Sequence, residues 1–94
     1  MKIEQFIWLE AIIDKLMAKH GVTPVEAEEV FFNRPRIRWQ EAGHRSGEDM
    51  YAAYGVTDRG RYLVVFFIYK DGHVALVVSA REMEPGERRR YERK

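Results

Sequence analysis

Residues 61–81 read RYLVVFFIYKDGHVALVVSAR, two apolar segments rich in β-branched and aromatic side chains on either side of Asp71-Gly72. Such segments favour a pleated strand, and Asp-Gly suits the two-residue type I′ turn, so this stretch predicts an antiparallel hairpin. With Asp71 and Gly72 as the turn, Lys70 faces His73, Phe67 faces Leu76, Leu63 faces Ala80 and Tyr62 faces Arg81. Alternation then puts Leu63, Val65, Phe67 and Tyr69 on the core face with Val74, Leu76, Val78 and Ala80. The other face carries Tyr62, Val64, Phe66 and Ile68 with Ala75, Val77, Ser79 and Arg81. The open end of the hairpin gathers Arg61, Tyr62, Ser79 and Arg81, with Arg59 in the adjoining turn.

A sheet built on this hairpin needs a cover for its apolar face, and the N-terminal third supplies it. Leu9, Ile12, Ile13, Leu16 and Met17 follow the stripe of an amphipathic helix, which ends at His20 with Gly21 free to turn left-handed. "QFIW" before it fits another helical turn or a short strand, and the strand is preferred. In "TPVE", Thr23 caps a second helix, Pro24 sits at its first position and Glu26 closes a capping box. That helix runs to about Phe32, burying Ala27, Val30 and Phe31 and leaving Glu26, Glu28 and Glu29 outside; Asn33 to Pro35 breaks it. "RIRWQ" is a strand with Ile37 and Trp39 inward, "EAGHRSGED" a loop, "MYAAYGV" a strand and "TDRG" a turn. Pro85 and Glu87 mark a last helix, to about Arg93, which leans through Met83 and Tyr91 on the sheet or on a partner. The expected fold is α+β, a single domain over residues 1–94: two N-terminal helices packed on an antiparallel sheet of about four strands, followed by a C-terminal helix.

Composition narrows the chemistry. The chain has no cysteine, so disulfides, a thiolate nucleophile and a cysteine-based zinc site are excluded, and neither metal nor cofactor is expected. The longest apolar run, Leu63 to Tyr69, falls well short of the roughly 20 residues of a spanning helix. With no basic leader either, the expected location is the cytoplasm, away from membranes. Residues 1–33 hold three basic and six acidic groups, residues 34–94 thirteen and nine. Arginine gathered in the later part points to phosphate ligands, or else to a solvated mixed-charge surface.

The order of the motifs "KHGV", "EAEEVF", "HRSGED", "GRYLVVFF", "VVSAREM" and "ERRRYE" resembles the BrnT family of bacterial type II toxins, over roughly residues 6 to 93. The resemblance implies a RelE-like fold, ribonuclease activity and a BrnA-type antitoxin with a ribbon-helix-helix region, which would carry any contact with operator DNA. It also implies a homodimer or a two-plus-two assembly with the antitoxin. The sequence departs from the family where Leu9, Ile12, Leu16 and Met50 replace residues that are usually polar.

Metal-free RNA cleavage by transesterification needs a base for the 2′-hydroxyl, cations for the phosphorane and an acid for the leaving oxygen. Arg61 and Arg81 are the candidate cations, because a guanidinium fork fits phosphate oxygens. Local pairing of Arg81 with Glu82 or Glu84 is the competing structural role. His44 and Glu48 are the candidate bases. Arg59, Tyr62, Ser79, His20, Lys19 and Trp8 are candidate RNA contacts, and Arg88, Arg89 and Tyr91 candidate antitoxin contacts. The function expected is a metal-independent endoribonuclease toxin. The alternative is a non-catalytic module that keeps the scaffold as antitoxin partner and co-repressor.

Overall fold

The computed structural model describes residues 1–43 and 47–93. In chain order the elements are β1 (Gln5–Ile7), α1 (Glu10–His20), α2 (Pro24–Phe32), β2 (Arg36–Glu41), β3 (Met50–Val56), β4 (Tyr62–Lys70), β5 (Val74–Glu82) and α3 (Pro85–Glu92). The first helices begin and end where local chemistry dictates. Gly21 takes the left-handed conformation, φ 60°, and its N–H closes the last turn of α1. At the start of α2, Thr23 Oγ1 accepts from the Glu26 amide and Glu26 Oε1 accepts from the Thr23 amide, both at 3.1 Å. A cap of this kind stabilises a helix by about 1 kcal/mol.

The sheet has five strands in the order β1-β5-β4-β3-β2 and is mixed, correcting the expected antiparallel sheet of about four. The fifth strand is β1, within the short strand read in "QFIW", and it joins the sheet parallel to β5, with Gln5 beside Val74 and Ile7 beside Leu76. Side-chain anchors fix so short a strand at the edge. The Phe6 ring meets Phe31 edge-on at 5.1 Å, and the Glu4 amide donates to the His73 carbonyl at 2.8 Å. Helix placement also differs: α1 and α2 cover one face of the sheet, whereas α3 lies on the other, with Tyr91 edge-on to Tyr62 at 6.0 Å.

The hairpin forms, but in another register. Lys70 pairs with Val74, so the turn takes three residues, and both Gly72 (φ 84°) and His73 (φ 63°) are left-handed. A bulge follows: Phe67 pairs with Val77 and Phe66 with Ser79, which leaves Val78 over. The longer turn moves Ala75 and Val77 onto the core face in place of Val74 and Leu76, and the extra Val78 then restores the expected phase for Ala80. Arg81 therefore lies on the face opposite the core, as expected, but across from Val64 rather than Tyr62.

The core between sheet and helices comprises Leu16, Val22, Ala27, Val30, Ala53, Leu63, Val65, Phe67, Ala75, Val77 and Ala80. Ala52 and Val64, on the opposite face, are also fully buried. Three residues expected inward are instead exposed. Leu9 precedes the first turn of α1 and Met17 lies beyond the buried stripe, both exposed. Trp39 is 56% exposed on the edge strand β2, where Nε1 donates to Asp49 at 3.0 Å.

Candidate functional site

The open end of the hairpin meets the junction of α1 and α2, and the corner between them is a shallow concavity of about 350 Å³. Lys19 and His20 enter from the last turn of α1, Arg61 from the start of β4, and Arg81 and Glu82 from the end of β5. Positive φ at Gly21 and Gly60 permits the tight turns on either side. The Arg61 amide donates to Thr57 Oγ1 at 3.0 Å and the Thr57 amide to the Arg61 carbonyl at 2.8 Å, which fixes the chain as it enters β4.

Arg61 is fully engaged. Nη2 donates to the His20 carbonyl at 2.9 Å and Nη1 to the Gly21 carbonyl at 2.8 Å. Nη1 also reaches both Glu26 oxygens at 3.2 Å, and Nε donates to Glu82 at 2.9 Å. The guanidinium thus ties the two helices to the end of β5, meeting carbonyls that a helix end leaves unpaired. Burial opposes its charge, but the hydrogen bonds it donates to Glu82 and Glu26 outweigh that and push its pKa up. Burial likewise raises Glu26, and the Thr23 amide together with Arg61 reverses it, leaving the carboxyl below its ordinary value.

Arg81 points to the opposite face, with its guanidinium 5.5 Å from the centre of the Phe66 ring. Nη1 and Nη2 donate to the two oxygens of Glu87 at 2.8 and 3.0 Å, a bidentate pair that fastens α3 to β5. Glu87 is the carboxylate partner, rather than Glu82 or Glu84; Glu82 supplies only a backbone carbonyl, at 3.1 Å. The hydrogen bond to Glu87 pushes the Arg81 pKa up. In return Arg81 holds Glu87 below its ordinary value against the effect of burial, helped by the Glu84 amide. Arg81 remains 32% exposed, and among the described residues its Nε donates to nothing.

The remaining candidates are dispersed. Glu48 lies at the far end of β4, 3.5 Å from Lys70 Nζ, and so does not join Arg61 and Arg81. His44 lies outside the described residues. Arg59 sits on another concavity, with Val25, Glu26 and Glu29. Trp8 is half-buried, its Nε1 donating to Glu28 at 2.7 Å. Ser79 lies opposite Phe66, on the same face as Arg81. Tyr62 donates to Glu92 at 2.9 Å, which pushes its phenol up, and carries the Arg88 guanidinium 3.9 Å over its ring. Arg88 and Arg89 are exposed on α3, whereas Tyr91 turns inward and its hydroxyl donates to the Arg34 carbonyl at 3.5 Å. The three glutamates expected outside α2 are all engaged: Glu26 by Arg61, Glu28 by Trp8 and Glu29 by the Asp58 amide at 3.0 Å.

Sequence reasoning placed Arg61, Arg81, Lys19 and His20 among the functional residues, and the fold gathers these four. It missed the carboxylates that hold the two arginines. Glu87 was visible only as a helix-start residue, and nothing local ties Glu26 or Glu82 to Arg61.

Two comparisons with known proteins bear on this arrangement. The family model described as "Ribonuclease toxin, BrnT, of type II toxin-antitoxin system" matches residues 8–87. The 1.1 Å crystal structure of the Brucella abortus ribonuclease toxin BrnT is similar in fold, with a TM-score of 0.64 and 20% identity, covering 85% of this chain and 96% of that one. A comparison with curated proteins gives no match.

Proposed function

The chain belongs to the BrnT family of ribonuclease toxins of type II toxin-antitoxin systems, and on that premise we propose that it is an endoribonuclease toxin acting without a metal ion. The observation that carries this reading is the concavity at the open end of the sheet, lined by Lys19, His20, Arg61 and Arg81. In the proposed reaction the 2′-hydroxyl attacks the adjacent phosphorus, the 5′-oxygen leaves, and a cyclic phosphate forms. Lys19 and the exposed part of Arg81 balance the charge gathering on the phosphate oxygens. His20, in the same concavity, takes the proton of the attacking 2′-hydroxyl, and solvent returns a proton to the leaving 5′-oxygen. Arg61 positions the end of α1 and with it Lys19 and His20. A BrnA-type ribbon-helix-helix antitoxin neutralises the toxin, meeting Arg88 and Arg89 on the open side of α3, and it alone contacts operator DNA. The setting proposed is the cytoplasm; among the described residues no helix is long and apolar enough to cross a membrane.

A second reading has its own support. Arg61 and Arg81 both already hold carboxylates, as suits a non-catalytic module that keeps the scaffold for antitoxin binding and co-repression. Inducible expression and cleavage of RNA by the purified protein in the presence of chelator separate the two. The toxin reading expects growth arrest and cleavage, with Arg81→Ala lowering kcat by about 10²-fold, as for loss of one transition-state donor. Harmless expression together with intact antitoxin binding would establish the second reading instead.

A further inference from the structure

Two of the arginines that lack a carboxylate partner meet on the other face of the sheet. Among the described residues Arg38 and Arg90 enter no ion pair. Arg38 stands on β2 opposite Ala52, and Arg36 opposite Tyr54, so both arginines of the strand share the face on which α3 lies. Across that face α3 delivers Arg90. Arg38, Tyr54, Glu87, Arg90 and Tyr91 line a cavity of about 130 Å³, room for a phosphate group but not for a helix or strand of a partner.

The walls are already in place. Tyr91 is held by the Tyr62 ring, and the Arg36 guanidinium lies 5.9 Å from its centre. Arg36 Nη2 also donates to the Arg93 carbonyl at 3.1 Å, pinning the end of α3 beside β2. Glu87 brings a carboxylate to the wall, but both of its oxygens accept from Arg81. Its charge is met by Arg81 and, less strongly, by Arg90, so the two arginines of the cavity face a carboxylate that is already paired. Because Glu87 joins this cavity to Arg81, the two sites are neighbours on one surface.

We propose that Arg38 and Arg90 form a phosphate-binding subsite for single-stranded RNA, which holds a backbone phosphate away from the reacting one while Tyr54 and Tyr91 offer ring surface to the adjoining nucleotide. Guanidinium forks matched to phosphate oxygens, with aromatic faces beside them, are the usual components of such a contact. The proposal rests on the ribonuclease reading and adds a second point of attachment to it.

The test is fluorescence anisotropy with a short single-stranded RNA whose riboses are all 2′-O-methylated, so that it binds without being cut, measured over a salt series. The Arg38→Ala/Arg90→Ala variant is expected to bind about tenfold more weakly. Its log Kd is expected to depend less steeply on log salt, by about 0.7, the counterion release of one phosphate on a single strand. Arg38→Lys/Arg90→Lys should recover the salt dependence and only part of the affinity, since a point charge replaces a fork. Both variants change exposed side chains, and an unaltered unfolding midpoint confirms their fold. If wild type binds RNA and the alanine variant matches it in affinity and slope, the subsite is overturned while the ribonuclease reading stands. If wild type binds no RNA, the ribonuclease reading fails and takes the subsite with it. A variant that keeps RNA but loses antitoxin shows the cavity to be a protein-docking surface, which also overturns the proposal.

Discussion

The contacts of Arg61 divide its two possible roles. All three of its nitrogens are spent on the carbonyls of His20 and Gly21 and on the carboxylates of Glu26 and Glu82. Arg61→Ala would remove the one group that joins those acceptors in a half-buried corner, leaving Glu26 with Thr23 alone. The expected loss is about 2–3 kcal/mol of stability, the scale for breaking a charge-assisted network, read as a lower urea midpoint. Arg61→Lys should recover less than half of this, because an ammonium cannot meet acceptors lying in three directions. Loss of RNA cleavage in Arg61→Ala with the midpoint unchanged would instead show that this guanidinium acts on substrate. Arg81 differs in having Nε to spare beside its single carboxylate partner.

Among the elements, α3 depends most on its neighbours. It has eight residues and none is fully buried, so in isolation it would be marginal. What keeps it helical is the Glu87 pair with Arg81, the Tyr91 ring on Tyr62 and the Arg36 bond to the Arg93 carbonyl. Tyr91→Ala is expected to cost about 1–2 kcal/mol, an aromatic pair plus part of a buried ring. Amide exchange should quicken in α3 but not in β4; equal quickening in both would mean that the helix and sheet unfold together. The elements also differ in how far sequence discloses them. Both ends of the α1–α2 unit were legible because Gly21, Thr23, Pro24 and Glu26 act within a few residues of themselves. The hairpin was legible as a hairpin, but its register was not. A third turn residue at His73 and the bulge at Val78 each shift the pairing by one, and neither position carries a residue type that demands it. For the site, the placing of Arg61 and Arg81 at one end of the sheet could be anticipated, but not that Lys19 and His20 line the same concavity. The partners that restrain the arginines could not, since Glu26 lies 35 residues from Arg61 and contacts it only after the chain has folded.

At the scale of the whole molecule, two carboxylate–guanidinium junctions hold the layers together. Glu26 and Arg61 join α1 and α2 to the sheet on one side, and Glu87 and Arg81 join α3 to it on the other. Both carboxyls are held below their ordinary value of 4.5, so each binds its proton less readily folded than unfolded. Such groups contribute stability that is fully present above 4.5 and is lost as pH falls through their lowered folded values. The arginines keep their charge throughout, so the carboxyls alone set the slope. Urea unfolding midpoints should therefore be level near neutrality and fall as the solution is acidified below about pH 4.5. Glu26→Gln/Glu87→Gln should be less stable than wild type at neutral pH, because Arg81 loses its carboxylate partner and Arg61 keeps only the more exposed Glu82. Its acid limb should be shallower, since two of the protons taken up on unfolding are gone. As the pH falls the curves should converge, wild type approaching the variant once Glu26 and Glu87 are protonated. Parallel curves down to low pH would show that the acid limb arises from other carboxylates and that neither junction is what acid releases.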